Sequence, residues 1–256
     1  MIPLTRTLKP NTANSFSSKV LTLAFIGIVA AACAVPAWSG TFSVTPVRLY
    51  FKPQDRAIAV TITNDGDEEL IMQADIYAWK QKPNGEDDLV LTEDLILSPP
   101  IVKVAPKSRQ VVRLAKLSVA LGGEQRTYRM IAREVPEAKP SNRNLQLQIA
   151  LAFSMPVFIT PPGAKYKLDC ALEWATADTL RVVCENVGNA YAQLREFAVN
   201  SASGQKLAGL EGGAYLLPGI KRSFEIKKTG SGLPGGKVKM LVTLDDAVQT
   251  FDLTIP

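Results

Sequence analysis

From Leu145 to Phe158 the chain reads as one long β-strand. Leu145, Leu147, Ile149, Leu151, Phe153 and Met155 alternate with Gln146, Gln148, Ala150, Ala152 and Ser154, and a side-chain period of two puts the apolar set on one face. Strands in globular proteins average about 5–6 residues, so this row holds more apolar side chains than one sandwich face ordinarily uses. Two readings fit. The row is a core strand running on toward a domain junction, or it is an edge strand whose surplus side chains fill another protein's groove by β-augmentation.

The remainder follows the same period. Phe42 to Phe51 is strand-like, and Ile58 to Thr63 ends in the turn Asn64-Asp65-Gly66-Asp67. Leu70 to Trp79 places Leu70, Met72, Ala74, Ile76 and Ala78 on one face, and Lys82-Pro83-Asn84-Gly85 interrupts the chain. Short extended pieces flank Ser98-Pro99-Pro100, and Gln110 to Leu114 and Thr127 to Val135 precede the long strand. Thr160-Pro161-Pro162-Gly163 is a natural break, after which a second strand-rich unit runs from Tyr166 to Pro256. No helical stripe interrupts the series. About seven short strands per ~100 residues predict an all-β chain of two immunoglobulin-like β-sandwich domains, with a leader at 1–39 and domains at 40–160 and 161–256.

Net charge and histidine content narrow the chemistry. The formal charge is +5 over 256 residues, which invites a nucleic-acid reading. Residues 1–39, however, hold Arg6, Lys9 and Lys19 and no acid, leaving 26 basic against 24 acidic residues in the rest. That balance is weak evidence for a phosphate-binding surface, and no nucleic-acid partner is expected. With no histidine in the chain, Ser-His-Asp and Cys-His triads, His-ligated zinc and proximal-His haem are excluded. No catalytic residue, metal or cofactor is expected. The pair Ser203-Gly204-Gln205-Lys206 and Lys228-Thr229-Gly230 has the form of SxxK and KTG motifs. Those motifs need a helix carrying the serine and a long intervening domain, whereas Ser203 lies in a polar turn close to Lys228.

The leader has the order of a secretory signal. A basic, polar stretch to Lys19 precedes the uncharged, largely apolar run Val20 to Val35, and Pro36-Ala37-Trp38-Ser39-Gly40 supplies small residues. The run is shorter than the ~20 residues that cross a bilayer core. Cleavage after Ala37 or Ser39 is expected, which removes Cys33 and leaves no membrane insertion.

Export makes the two remaining cysteines informative. Folding Lys167 to Cys184 as a hairpin centred on Ala177 sets Trp174 opposite Leu180, Leu172 opposite Val182 and Cys170 opposite Cys184. Directly opposed residues on antiparallel strands lie within disulfide range. In an oxidising compartment the Cys170–Cys184 bond is expected, worth ~3 kcal/mol on the loop-entropy estimate. Two buried thiols are the other reading.

Six segments come in a familiar order: Thr45-Pro46-Val47-Arg48-Leu49, Thr61-Ile62-Thr63-Asn64-Asp65, Ser98-Pro99-Pro100, Gln110-Val111-Val112-Arg113-Leu114, Tyr128 to Pro136, and the long strand. Together, over residues 41–162, they resemble the periplasmic pilus-assembly chaperones of the PapD-like, chaperone–usher family. The second half rests on size, strand content and the cysteine pair. The resemblance implies a periplasmic chaperone with two sandwiches set at an angle. Its partners would be pilus subunits that lack their last strand and an outer-membrane usher that receives them. It also implies strand lending, with Leu145, Leu147, Ile149, Leu151 and Phe153 filling the subunit's groove. The loop Glu137 to Arg143 is expected to become ordered on binding. A secreted two-domain adhesion or binding protein is the alternative of the same fold.

Relatives of this kind anchor the subunit's C-terminal carboxylate with two basic residues. The first matches Arg48; on pattern alone Arg48 is simply an outward residue between Val47 and Leu49. The second is normally a Lys near the long strand, where this sequence has Pro156 in Met155-Pro156-Val157. That departure resembles the archaic branch of the family, and Arg129, then Arg113, are the candidates to replace the Lys. A further departure is Thr160, where many relatives carry an Arg that joins an interdomain charge cluster. Asp246 is left as an acidic residue without an obvious mate.

Overall fold

In a computed structural model the structure describes residues 42–117, 122–136, 150–229 and 235–255. The leader (1–39), the loop Glu137 to Arg143, and Leu145, Leu147 and Ile149 lie outside the described residues.

The first sandwich holds ten strands: β1 (Phe42–Thr45), β2 (Leu49–Phe51), β3 (Ala57–Asn64), β4 (Leu70–Gln81), β5 (Asp87–Leu91), β6 (Leu95–Ser98), β7 (Ile101–Val104), β8 (Ser108–Lys116), β9 (Arg126–Glu134) and β10 (Ala152–Ile159). One sheet has the order β1-β3-β8-β6; the other has β2-β10-β9-β4-β5, with β7 beside β4. The alternation read from the sequence places Val60, Ile62, Met72, Ile76, Val112, Leu114, Met130 and Val157 in the core between the sheets.

The second sandwich holds β11 (Leu168–Thr176), β12 (Thr179–Asn186), β13 (Ala192–Ser201), β14 (Lys206–Glu211), β15 (Tyr215–Leu216), β16 (Lys221–Lys227), β17 (Gly236–Leu244) and β18 (Val248–Ile255). Its sheets are β11-β12-β16 and β14-β13-β17-β18, with β15 beside β13. Both sandwiches are immunoglobulin-like, and among the described residues there is no helix. The β11–β12 hairpin has the expected register, Trp174 to Leu180, Leu172 to Val182 and Cys170 to Cys184. The cysteines are joined as a disulfide with Cα atoms 4.1 Å apart.

The predicted strand Phe42 to Phe51 is two strands. β1 pairs antiparallel with β3 in one sheet, and β2 pairs parallel with β10 in the other. The chain changes sheets through Pro46, Val47 and Arg48. This switch decides where Arg48 stands.

A third apolar cluster joins the sandwiches: Trp79 and Phe158 from the first meet Leu217, Tyr191, Tyr215 and Ile220 from the second. Two glutamine amides fasten its margins. Gln81 donates to the Tyr215 carbonyl and accepts from the Leu217 amide, both at 3.0 Å. Gln125 donates to Thr160 Oγ1 at 2.6 Å and accepts from the Tyr191 amide at 2.9 Å. At Thr160 the link is therefore a neutral hydrogen bond rather than a charged pair. Asp246 finds its mate in Tyr166, whose hydroxyl donates to it at 2.9 Å.

Candidate functional site

Two features adjoin the sheet switch at Pro46 to Arg48: the edge of β10 and the cleft beside Arg48.

β10 pairs with β9 along its whole length, from Ala152 opposite Arg133 to Ile159 opposite Arg126. On its other side it pairs with β2 only from Val157 to Ile159. The stretch Ala152 to Pro156 therefore has a second edge that no described strand covers. Such an edge offers unsatisfied backbone groups to another strand. Pro156, which has no N–H, sits where this open stretch ends. Of the five residues read as groove-filling, Leu151 is 39% exposed. Phe153 is half-buried against the core, its ring edge-on to Phe42 at 5.2 Å between centroids. Met155 is buried.

A cleft of about 860 Å³ opens between the sandwiches, lined by Arg48, Tyr50, Tyr191, Arg195 and Asp245 among others. Arg48 forms an ion pair with Asp245. Asp245 sits in the hairpin between β17 and β18, and its other oxygen accepts from Arg195 Nε at 2.5 Å. Burial works against the Arg48 charge, but its hydrogen bonds to Asp245 and Tyr50 more than offset this and raise its pKa above the ordinary arginine value. Tyr50 and Tyr191 share a hydroxyl–hydroxyl hydrogen bond of 2.7 Å. Phe158 stacks on Tyr191 at 4.0 Å and on Tyr50 at 5.5 Å. The floor of the cleft is thus aromatic, and water is partly excluded from the charges above it.

The structure separates the three arginine candidates. Arg48 faces the cleft. Arg129, on β9 opposite Pro156, has its guanidinium 3.8 Å from the Trp79 ring and 5.4 Å from that of Tyr215. It also pairs with Asp87 at 3.3 Å. Burial lowers its pKa, with Asp87 opposing, and its Nε is buried without a hydrogen-bond partner. Arg48 and Arg129 flank the Tyr215 phenol: burial raises that phenol's pKa, and both arginines pull it down. Arg113 stands exposed on β8, opposite Ala59 and Ser98 in the other sheet, and does not line the cleft.

Sequence reasoning missed Arg195 and Asp245. One signal was present. The buried residues of β13 are Ala192 and Leu194, then Phe197 and Val199, so the alternation slips by one residue at Arg195. That slip is the mark of a β-bulge, and the β13–β17 register does shift between Leu194 and Glu196.

Residues 41–165 match the family model of the pili and flagellar-assembly chaperone PapD N-terminal domain. Over these residues, the first sandwich, the chain belongs to the PapD-like pilus-assembly chaperones. Known structures of such chaperones share its fold. The chaperone in the complex with the tip adhesion subunit of archaic Csu pili from Acinetobacter baumannii is 20% identical, with a TM-score of 0.61, covering 84% of this chain and 99% of that one. The CupB2 chaperone of Pseudomonas aeruginosa is 16% identical, with a TM-score of 0.54 and coverage of 84% and 100%. A chain of the SafA pilin–SafB chaperone complex of Salmonella enterica is 14% identical, with a TM-score of 0.56 and coverage of 85% and 98%. No curated protein matches this chain. PapD-like chaperones are periplasmic and are not enzymes.

Proposed function

We propose that this periplasmic chaperone binds pilus or fimbrial subunits by donor-strand complementation and passes them to an outer-membrane usher. The uncovered edge of β10 at Ala152 to Pro156, with Leu151 left exposed beside it, is the observation that carries the reading. A subunit lacking a strand has two costs to meet: unpaired backbone groups and an apolar groove open to water. A lent strand meets both at once. The lent row is Leu145, Leu147, Ile149, Leu151 and Phe153, and each side chain fully buried in the groove contributes about 1.5–3 kcal/mol. The A. baumannii and S. enterica structures are chaperone–subunit complexes, which supports a client of that kind. Handover exchanges one strand for another without covalent chemistry.

Arg48 is the anchor for the client's C-terminal carboxylate, because it is the sequence candidate that faces the cleft. Arg129 adds its charge from behind Tyr215, and Arg113 takes part only where a client reaches β8. The chaperone is of the archaic kind, a reading supported by Pro156 in place of the second basic residue. Its working chain follows a cleaved leader at 1–39, with domains at 40–160 and 161–256.

The test is co-expression with a pilin subunit encoded beside it. Ile149→Asp and Leu151→Asp are expected to abolish recovery of the complex while the chaperone keeps its circular dichroism spectrum and melting temperature. Normal recovery with either variant contradicts the strand-lending assignment.

A further inference from the structure

The outer faces of two sheets in this chain handle charge in opposite ways. On β11-β12-β16 in the second sandwich, Arg181 stands between Glu173 and Glu225 of its neighbouring strands and pairs with both, at 3.1 and 3.7 Å. On β1-β3-β8-β6 in the first, Arg113 also has a strand on each side. The residues opposite it are Ala59 and Ser98, which offer no charge.

The rest of that face follows suit. The outward residues of β8 are Arg109, Val111 and Arg113, and β3 sets Thr63, Thr61 and Ala59 beside them. The four strands of the sheet contain no acidic residue, and their one aromatic ring, Phe42, packs on the core instead. The ion pairs of the first sandwich are made by Arg48, Lys82, Lys103, Lys107, Arg129 and Arg133. Arg109 and Arg113 join none of them among the described residues, and both are exposed. Four residues apart on one strand, they stand about 13 Å from each other. Val111 lies between them, 44% exposed, and Ile96 on β6 is 46% exposed.

An unpaired guanidinium presents a fork of donors that matches a phosphate. A flat face without an outward aromatic anchor lacks what holds most protein partners. An anionic bilayer asks for less: positive charge, and apolar side chains that reach the headgroup layer. The two sheets of the sandwich pack face to face, so this outer face points away from the sheet that carries β10. A surface held here leaves the uncovered edge of β10 free.

We propose that the outer face of β1-β3-β8-β6 docks the protein on an anionic phospholipid surface, with Arg109 and Arg113 on lipid phosphates and Val111 and Ile96 at the headgroup boundary. The contact is peripheral and reversible. Each arginine is expected to contribute about fivefold to partitioning, which concentrates the chain at a membrane without fixing it there. The docking does not depend on the client proposed above.

The test is sedimentation of the processed chain with vesicles of phosphatidylglycerol and phosphatidylcholine in equal parts, and with vesicles of phosphatidylcholine alone. Binding is expected to the mixed vesicles alone, and to be lost at ~1 M salt, where the screening length falls to about 3 Å. Arg109→Gln combined with Arg113→Gln is expected to lower partitioning about 25-fold at an unchanged melting temperature. Lys221→Gln combined with Lys227→Gln removes the same charge from exposed positions of β16 and is expected to leave partitioning unchanged. Binding that survives the double arginine change, falls as far with the lysine pair, or is equal on phosphatidylcholine alone overturns the proposal. So does binding to neither vesicle, which would leave an acidic protein surface as the occupant of this face.

Discussion

The two ends of β10 are consecutive in one strand and opposite in use. At the downstream end Val157, Phe158 and Ile159 are fully buried and paired on both sides, by β9 and by β2. Both faces are occupied: Val157 and Ile159 enter the first core, and Phe158 enters the cluster shared with the second sandwich. At the upstream end, Ala152 to Met155 are paired on one side, and Leu151 stands 39% exposed. The same alternation therefore serves two purposes. Where β2 covers the strand, apolar residues build the protein's own interior. Where β1 has crossed to the other sheet, the strand's second edge and Leu151 are left available, while Phe153 and Met155 still pack inward. The sheet switch at Pro46 to Arg48 creates this difference, and it also sets Arg48 beside the open stretch.

The largest effect that tests the contrast is at Val157. Val157→Asp buries an unpaired carboxylate in a closed core and is expected to cost more than about 4 kcal/mol, so that no folded protein is recovered. Leu151→Asp, six residues upstream, is expected to leave the melting temperature unchanged; equal losses of fold from both would break the contrast. Next comes Phe158→Ala. Removing the ring that stacks between Tyr50 and Tyr191 is expected to destabilise by about 3–5 kcal/mol in urea unfolding. A cost below about 1 kcal/mol would show that this end is not tied to the second sandwich. The smallest is a control far from β10. Cys184→Ala opens the β11–β12 hairpin loop and is expected to lower stability by about 3 kcal/mol, while subunit capture at a temperature well below the melt is unchanged. Capture lost in proportion to stability would sharpen the account by linking the two sandwiches.

Much of this was legible in sequence because it depends on period and local pairing. The all-β class, the β11–β12 register and the Cys170–Cys184 bond follow from alternation and the compartment implied by the leader. Leu151 stood out because it belongs to a row longer than one face needs. What escaped depends on contacts between residues far apart in the chain. Phe42 to Phe51 reads as one strand, and nothing in its alternation says that its halves join different sheets. Arg129 reads as a candidate anchor, and its packing on Trp79 and Tyr215 stays hidden because neither ring is its neighbour in sequence. Arg195 was hidden by a bulge, although the slip in phase between Leu194 and Phe197 recorded it. Asp245 could be recognised only once folding had placed it against Arg48, 197 residues away.

The account turns on the free edge of β10 becoming a paired edge when a subunit binds. Hydrogen–deuterium exchange over Leu151 to Met155, in the client-free chaperone and in its purified complex with a pilin subunit, measures this directly. The expected result is marked slowing confined to this stretch and the residues just upstream, with Val157 to Ile159 already protected in both states. Exchange at Leu151 to Met155 that is equally fast in the complex, with protection appearing elsewhere on the chain, would contradict it.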